Sequence, residues 1–160
     1  MTNLETYIHE LEKGRAEMRE VITHINENQL IYEPWRVKEV IDHITGWDDA
    51  IIASINSLLQ GDTPATPAAR GLNVYNAETV STREALPYAH SLREWEASRV
   101  ELLRLLHLMS EEQLTQPFTL PWGGEGNIGL VVSIFCEHEI EHAEDIRKQA
   151  MEGQIASEEN

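Results

Sequence analysis

Glu137-His138-Glu139-Ile140-Glu141-His142 contains the pattern H-E-x-x-H inside a helical run from Ile128 to about Met151. Residues four apart on a helix, at about 100° per residue, lie one turn above each other, so both imidazoles can reach one metal ion. On a wheel with Ile128 as origin, the apolar face carries Val132, Phe135, His142 and Ile146. His138 and Val131 lie on one shoulder of that face and Glu139 on the other, so the histidines point at a core. With seven histidines in 160 residues, one such pair is expected by chance about 0.3 times, and the spacing alone leaves a core-packing role open.

Working outward, three more segments show helical periodicity. From about Thr2 to Asn26, Leu4, Ile8, Leu11, Met18, Ile22 and Ile25 recur on one face, with Arg15 filling the gap. From about Arg36 to Gln60 the stripe is Val37, Ile41, Ile44, Ile51, Ile55 and Leu58, and Asp48 takes the missing inward position. His43 and Trp47 sit on its shoulder; a solitary histidine there also suits a half-buried, hydrogen-bonded role. From about Glu84 to Met109, Tyr88, Leu92, Trp95, Leu102, Leu106 and Met109 form the third stripe, and Arg99 is its gap. Arg15 and Asp48 are expected to pair in a polar layer, with Arg99 joining Glu139 or Asp48, because an unpaired core charge costs several kcal/mol.

No run alternates with period two, and no internal repeat is present. The spacing predicts an all-α four-helix bundle over residues 1–152, with residues 153–160 a frayed, disordered tail. More than 20 residues separate the second stripe from the third, which is long for a bundle. Extended at about 3.3 Å per residue they span roughly 70 Å, against about 36 Å for a 24-residue helix. The connection can therefore cross the bundle, which permits parallel second and third helices and an up-down-down-up order. Leu72–Val80 can form a short helix within it, with Asn73, Tyr75 and Asn76 over a pocket mouth or on a plain surface loop. Ser110–Gln113 reads as a short turn. Trp122 can cap a pocket or anchor its loop to the core.

The length suits one domain. A formal net charge of −16 and a pI near 4.7 oppose binding to polyanions, so nucleic acid and anionic membranes are not expected partners. The single cysteine, Cys136, excludes an internal disulfide and fits a reducing, cytoplasmic compartment. It points about 100° from the face centre and reads as a small buried hydrophobe. No apolar run reaches the length of a membrane span.

The residues after His142 argue against a metalloprotease of the H-E-x-x-H type. The extended pattern needs Gly and His where the chain has Asp145 and Lys148, and only 18 residues remain beyond His142. A third ligand must come from upstream. Trp35-Arg36-Val37-Lys38-Glu39-Val40-Ile41-Asp42-His43-Ile44-Thr45-Gly46-Trp47-Asp48, followed about 95 residues later by His138-x-x-x-His142, resembles the DinB-like superfamily of small helical bundles over nearly the whole chain. That family includes thiol-dependent S-transferases and maleylpyruvate isomerases. It usually has a small hydroxyl cap where Arg36 stands.

The resemblance implies a divalent metal, nickel or zinc, bound by His43, His138 and His142, and a homodimer. Three neutral imidazoles leave positions for water or substrate, as catalytic sites do. His43 lies about 10 Å from the start of its helix and His142 about 12 Å from the end of its own, so antiparallel helices place them in one layer. The function implied is a metal-dependent enzyme of small-molecule metabolism or detoxification, joining a low-molecular-weight thiol to an electrophile. Glu139 is a candidate general base, or a residue that orients a neighbouring imidazole. Metal affinity is expected to fall as pH drops through about 6.5. Two other functions remain open at this point: a non-catalytic metal-binding bundle, and metal-independent small-molecule binding in resistance.

Overall fold

Thr2 opens the first helix with a capping box: its hydroxyl accepts from the Glu5 N–H and the Glu5 carboxylate accepts from the Thr2 N–H. In this computed structural model, which describes residues 1–159, that helix is α1 (Asn3–Ile22), which ends four residues before its stripe suggests. A hairpin comes next, β1 (Leu30–Tyr32) against β2 (Trp35–Arg36), turning at the cis Glu33–Pro34 bond. It leads directly into α2 (Val37–Leu59). Arg36 supplies no capping hydroxyl; instead the Glu39 carboxylate accepts from the Arg36 N–H at 2.8 Å, which ties down the start of α2.

The long connection contains α3 (Leu72–Ser81), and the third stripe forms α4 (Tyr88–Leu108) after Pro87. Ser110 caps a short helix, α5 (Glu111–Thr115), where a turn was expected. A second small ribbon, β3 (Phe118–Thr119) with β4 (Glu125–Gly126), carries Trp122 at its tip. The Asn127 side chain accepts from the Leu130 N–H and starts α6 (Ile128–Glu158). This helix passes Met151 by seven residues, so residues 153–158 are helical and the expected frayed tail is corrected; Asn160 lies outside the described residues. Among the described residues no helix is long and apolar enough to cross a membrane.

The contacts fix the helix directions. Along α1 and α6, Tyr7 lies by Gly129, Gly14 by Cys136 and Glu17 by Arg147, so the two run parallel. Arg15 reaches the Trp95 carbonyl while Arg99 reaches that of Leu11, so α1 and α4 are antiparallel. His43 meets His138, whereas Ile55, farther along α2, packs with Ile128 and Val131, so α2 and α6 are antiparallel too. The bundle is up-down-down-up, with α3 inside the crossover. Gly14 permits the α1–α6 approach: a Cβ there would lie 3.1 Å from the Cys136 carbonyl oxygen.

Two apolar clusters fill the bundle. One gathers Leu11, Ile51, Ile55, Leu102, Leu106 and Phe135, and the other Met18, Val40, Ile41, Ile44, Trp95 and Ile146. Between them lies the polar layer. Arg15 donates to Asp48 at 2.9 Å and to Glu139 at 2.8 Å, and Arg99 donates to Asp48 at 3.0 Å and Glu139 at 2.8 Å. All four side chains are at most 2% exposed. Ser98 Oγ donates to Asp48, and the Arg15 guanidinium stacks 4.3 Å from the Trp95 ring centroid. Burial pushes the Asp48 carboxyl up, but the Arg99 and Arg15 guanidiniums outweigh it and hold it below its ordinary value. The layer lies directly beside His138 in sequence, through Glu139.

Candidate metal centre

Three imidazoles converge where α2 faces α6. His43 Nε2 lies 2.9 Å from His138 Nε2, and His142 Nε2 lies 2.8 Å from the same atom. Two nitrogens each about 2.1 Å from one ion would be about 3.0 Å apart at right angles and about 3.4 Å apart at the tetrahedral angle, so a shared cation needs these contacts to open by only a few tenths of an ångström. His43 is buried and the other two are half-buried. Trp35 packs over the His43 ring, with centroids 5.2 Å apart.

The hairpin supplies a contact that fixes His142. Tyr32 Oη is 2.6 Å from Asp145 Oδ2 and 2.9 Å from His142 Nδ1. The hydroxyl has one proton and donates it to the carboxylate, so it accepts from the His142 Nδ1–H. Neutral His142 then presents a bare Nε2 lone pair to the centre, the arrangement expected when a second residue orients a ligand. Burial, and then the Asp145 contact, push the Tyr32 hydroxyl well above its ordinary range.

The three imidazoles cannot satisfy one another. His138 Nε2 carries at most one hydrogen, yet it faces two nitrogens, and the one from His142 is already a lone pair. With a hydrogen, it bonds one neighbour and leaves the other nitrogen without a full partner; without one, its lone pair opposes that of His142. His43 Nδ1 is also buried with no hydrogen-bond partner. Protonation is a poor remedy: burial, followed by the charges of His138 and His142, pushes His43 down to about 3. Burial lowers His142 to about 3 and His138 to about 4. A divalent ion accepted by three lone pairs resolves the cluster, so these residues fit a metal.

These values move the proton competition. Burial holds all three folded imidazoles below the usual histidine range, which moves their competition with a metal to lower pH than the 6.5 of a free histidine. The cost appears in folding instead. Unfolded histidines take up protons near pH 6.5, so between about pH 6.5 and 4 the unfolded chain binds more protons and stability falls as pH is lowered. For metal-free protein the loss at pH 5 should reach up to roughly 2 kcal/mol per histidine relative to neutral pH. Urea unfolding from pH 7.5 to 5, compared between wild type and His142→Gln after chelation, checks this. A pH dependence no steeper in wild type than in the variant would contradict it.

Above the centre lies an open cavity of about 490 Å³. His43 and His138 line it, together with the aromatic Trp47, Trp122 and Phe135, the aliphatic Leu72 and Ile134, and Glu137 and Glu141 of α6. Asn76 lines it, one of the two placements that the sequence leaves open, and accepts from Trp47 Nε1 at 3.0 Å. Tyr75 packs behind Trp47 and donates to the Gly46 carbonyl, while Asn73 is exposed and does not line the cavity. Gly46 lets α3 sit this close: a Cβ there would lie 2.4 Å from the Thr79 side chain. Trp122 meets Trp47 edge to face, with centroids 5.8 Å apart.

Glu139, the candidate base, does not line this cavity. Its carboxylate accepts from Arg15 and Arg99 and is 1% exposed. Cys136 is buried against α1 and stands outside the cluster. Tyr32 and Asp145 were not found from sequence as site residues. Asp145 carried one signal, since it lies three residues from His142 on the same helix face; Tyr32 carried none.

A model of the DinB superfamily matches residues 10–146. No curated protein matches the chain in sequence. Among solved structures the fold is similar to that of YfiT from Bacillus subtilis, described as "a probable metal-dependent hydrolase with an unusual four-helix bundle topology" (TM-score 0.71, 15% identity, covering 94% of this chain and 87% of that one). It is also similar to the mycothiol-dependent maleylpyruvate isomerase (TM-score 0.71, 15% identity, 91% of this chain and 63% of that one). A third neighbour is the colibactin self-resistance protein ClbS, solved in complex with a double-stranded DNA (TM-score 0.76, 14% identity, 91% and 94%). At such identities these structures establish the bundle and not a shared activity. With its matched region spanning all four long helices, the chain belongs to the DinB superfamily.

Proposed function

We propose that this chain is a divalent-metal-dependent enzyme that joins a low-molecular-weight thiol to a small electrophile. The observation that carries this is the convergence of His43, His138 and His142 beside an open cavity that His43 and His138 line. These residues would hold one zinc or nickel ion, and when bound such an ion lowers the pKa of a coordinated thiol. Tyr32 and Asp145 keep His142 in the tautomer that can ligate. Trp47, Trp122 and Phe135 shield the reacting groups from water and receive their apolar parts, which favours the desolvated attack of a thiolate. The thiol proton leaves to water through the open mouth, and the new carbon–sulfur bond forms as the electrophile's carbon–leaving-group bond breaks, or as its strained ring or double bond opens and takes a proton from water. Glu139 serves as a positioning residue, because its carboxylate is committed to two arginines. The net charge of −16 and a lining without lysine or arginine favour a small molecule over a polyanion.

The test is adduct formation between simple thiols and an aromatic electrophile such as 1-chloro-2,4-dinitrobenzene. The metal-loaded protein should exceed the chelated protein by about 100-fold, a typical contribution of thiol activation and positioning. Equal rates with a fully loaded site would assign the metal to structure or sensing.

A further inference from the structure

The cavity is chemically lopsided. Glu137 and Glu141, one turn apart on α6 and exposed, both line it, and neither has an ion-pair partner among the described residues. Glu137 receives only a long hydrogen bond from Ser133 Oγ at 3.5 Å. Like charges at i and i+4 repel, so the pair is relieved by a cation placed between them. Trp47 and Trp122 line the same cavity, and indole rings attract ammonium groups. No lysine or arginine reaches the cavity to receive a carboxylate or phosphate.

We infer that the substrate carries a protonated amine beside an apolar or aromatic group, with Glu137 and Glu141 receiving the ammonium and Trp47 and Trp122 the apolar part. This rests on the proposed use of the cavity as the substrate site, and it excludes dicarboxylates and phosphate esters as preferred ligands. Glu137 and Glu141 are thereby specificity residues and take no part in holding the metal.

Three probes of nearly equal size isolate the charge: 2-phenylethylammonium, 2-phenylethanol and 3-phenylpropionate, titrated calorimetrically into zinc-loaded protein. The ammonium should bind about tenfold more tightly than the alcohol, with the carboxylate weakest. The Glu137→Gln/Glu141→Gln double variant should erase that order. The Glu144→Gln/Glu152→Gln control, which removes the same charge from exposed positions of the same helix that do not line the cavity, should keep it. An equal or reversed order in wild type, no measurable ammonium binding, or loss of the order in the control would each overturn the inference. None of the probes contains a thiol, so failure here is separate from failure of the thiol reaction.

Discussion

An Asp48→Ala protein should unfold with a free energy about 3–5 kcal/mol below that of wild type, much of the stability of a domain this size. Asp48 accepts from Arg15, Arg99 and Ser98 in a layer with almost no access to water. Its removal leaves two guanidiniums facing a single carboxylate, Glu139, and the excess charge has no solvent to screen it. Desolvation has already been imposed on all four groups, so the loss is the full cost of an uncompensated buried cation. An exposed pair makes the contrast: Arg19→Ala, which breaks the half-exposed bridge to Glu96, should cost less than about 1 kcal/mol. Urea denaturation followed by circular dichroism separates the two. A loss under about 1 kcal/mol for Asp48→Ala would mean that water enters the layer and the bundle is looser than described.

His138→Ala should abolish stoichiometric binding of zinc or nickel while leaving the helical content intact. His138 Nε2 is the atom that both other imidazole nitrogens approach, so no rearrangement of His43 and His142 alone rebuilds a three-nitrogen site. The bundle survives because its stripes, and not the ion, bury the core. Tyr32→Phe should be milder, weakening binding by about 10–100-fold, since the ligand remains and only its orientation is released. Competition against a chromophoric chelator, with circular dichroism on the same samples, measures both. Equal affinities for wild type and His138→Ala would remove His138 from the ligand set.

The four long helices were legible because each stripe is nearly complete, and the places where a stripe breaks were as informative as the stripes. Arg15, Asp48 and Arg99 each occupy a gap, and all three meet. Glu139 was harder to place, because its position in H-E-x-x-H suggests a base. Two inward cations and one inward anion nevertheless require a second anion, and Glu139 on the core-facing shoulder supplies it. The meeting of the three histidines was readable from the i,i+4 spacing, the matching depth of His43 and the resemblance. The Tyr32–Asp145 contact was not, since the hairpin that carries Tyr32 has only five strand residues and no alternating pattern. The overrun of α6 past Met151 escaped periodicity as well, because its last turns are polar and mostly exposed.

The most direct test of the metal centre is to strip the wild-type protein with a chelator, reload it with zinc, dialyse it, and measure metal per chain together with X-ray absorption at the zinc edge. The structure predicts one ion per chain with three imidazole nitrogens at about 2.0–2.2 Å and at least one exchangeable light-atom ligand. Substoichiometric zinc, or a shell with fewer than three imidazoles, would contradict it.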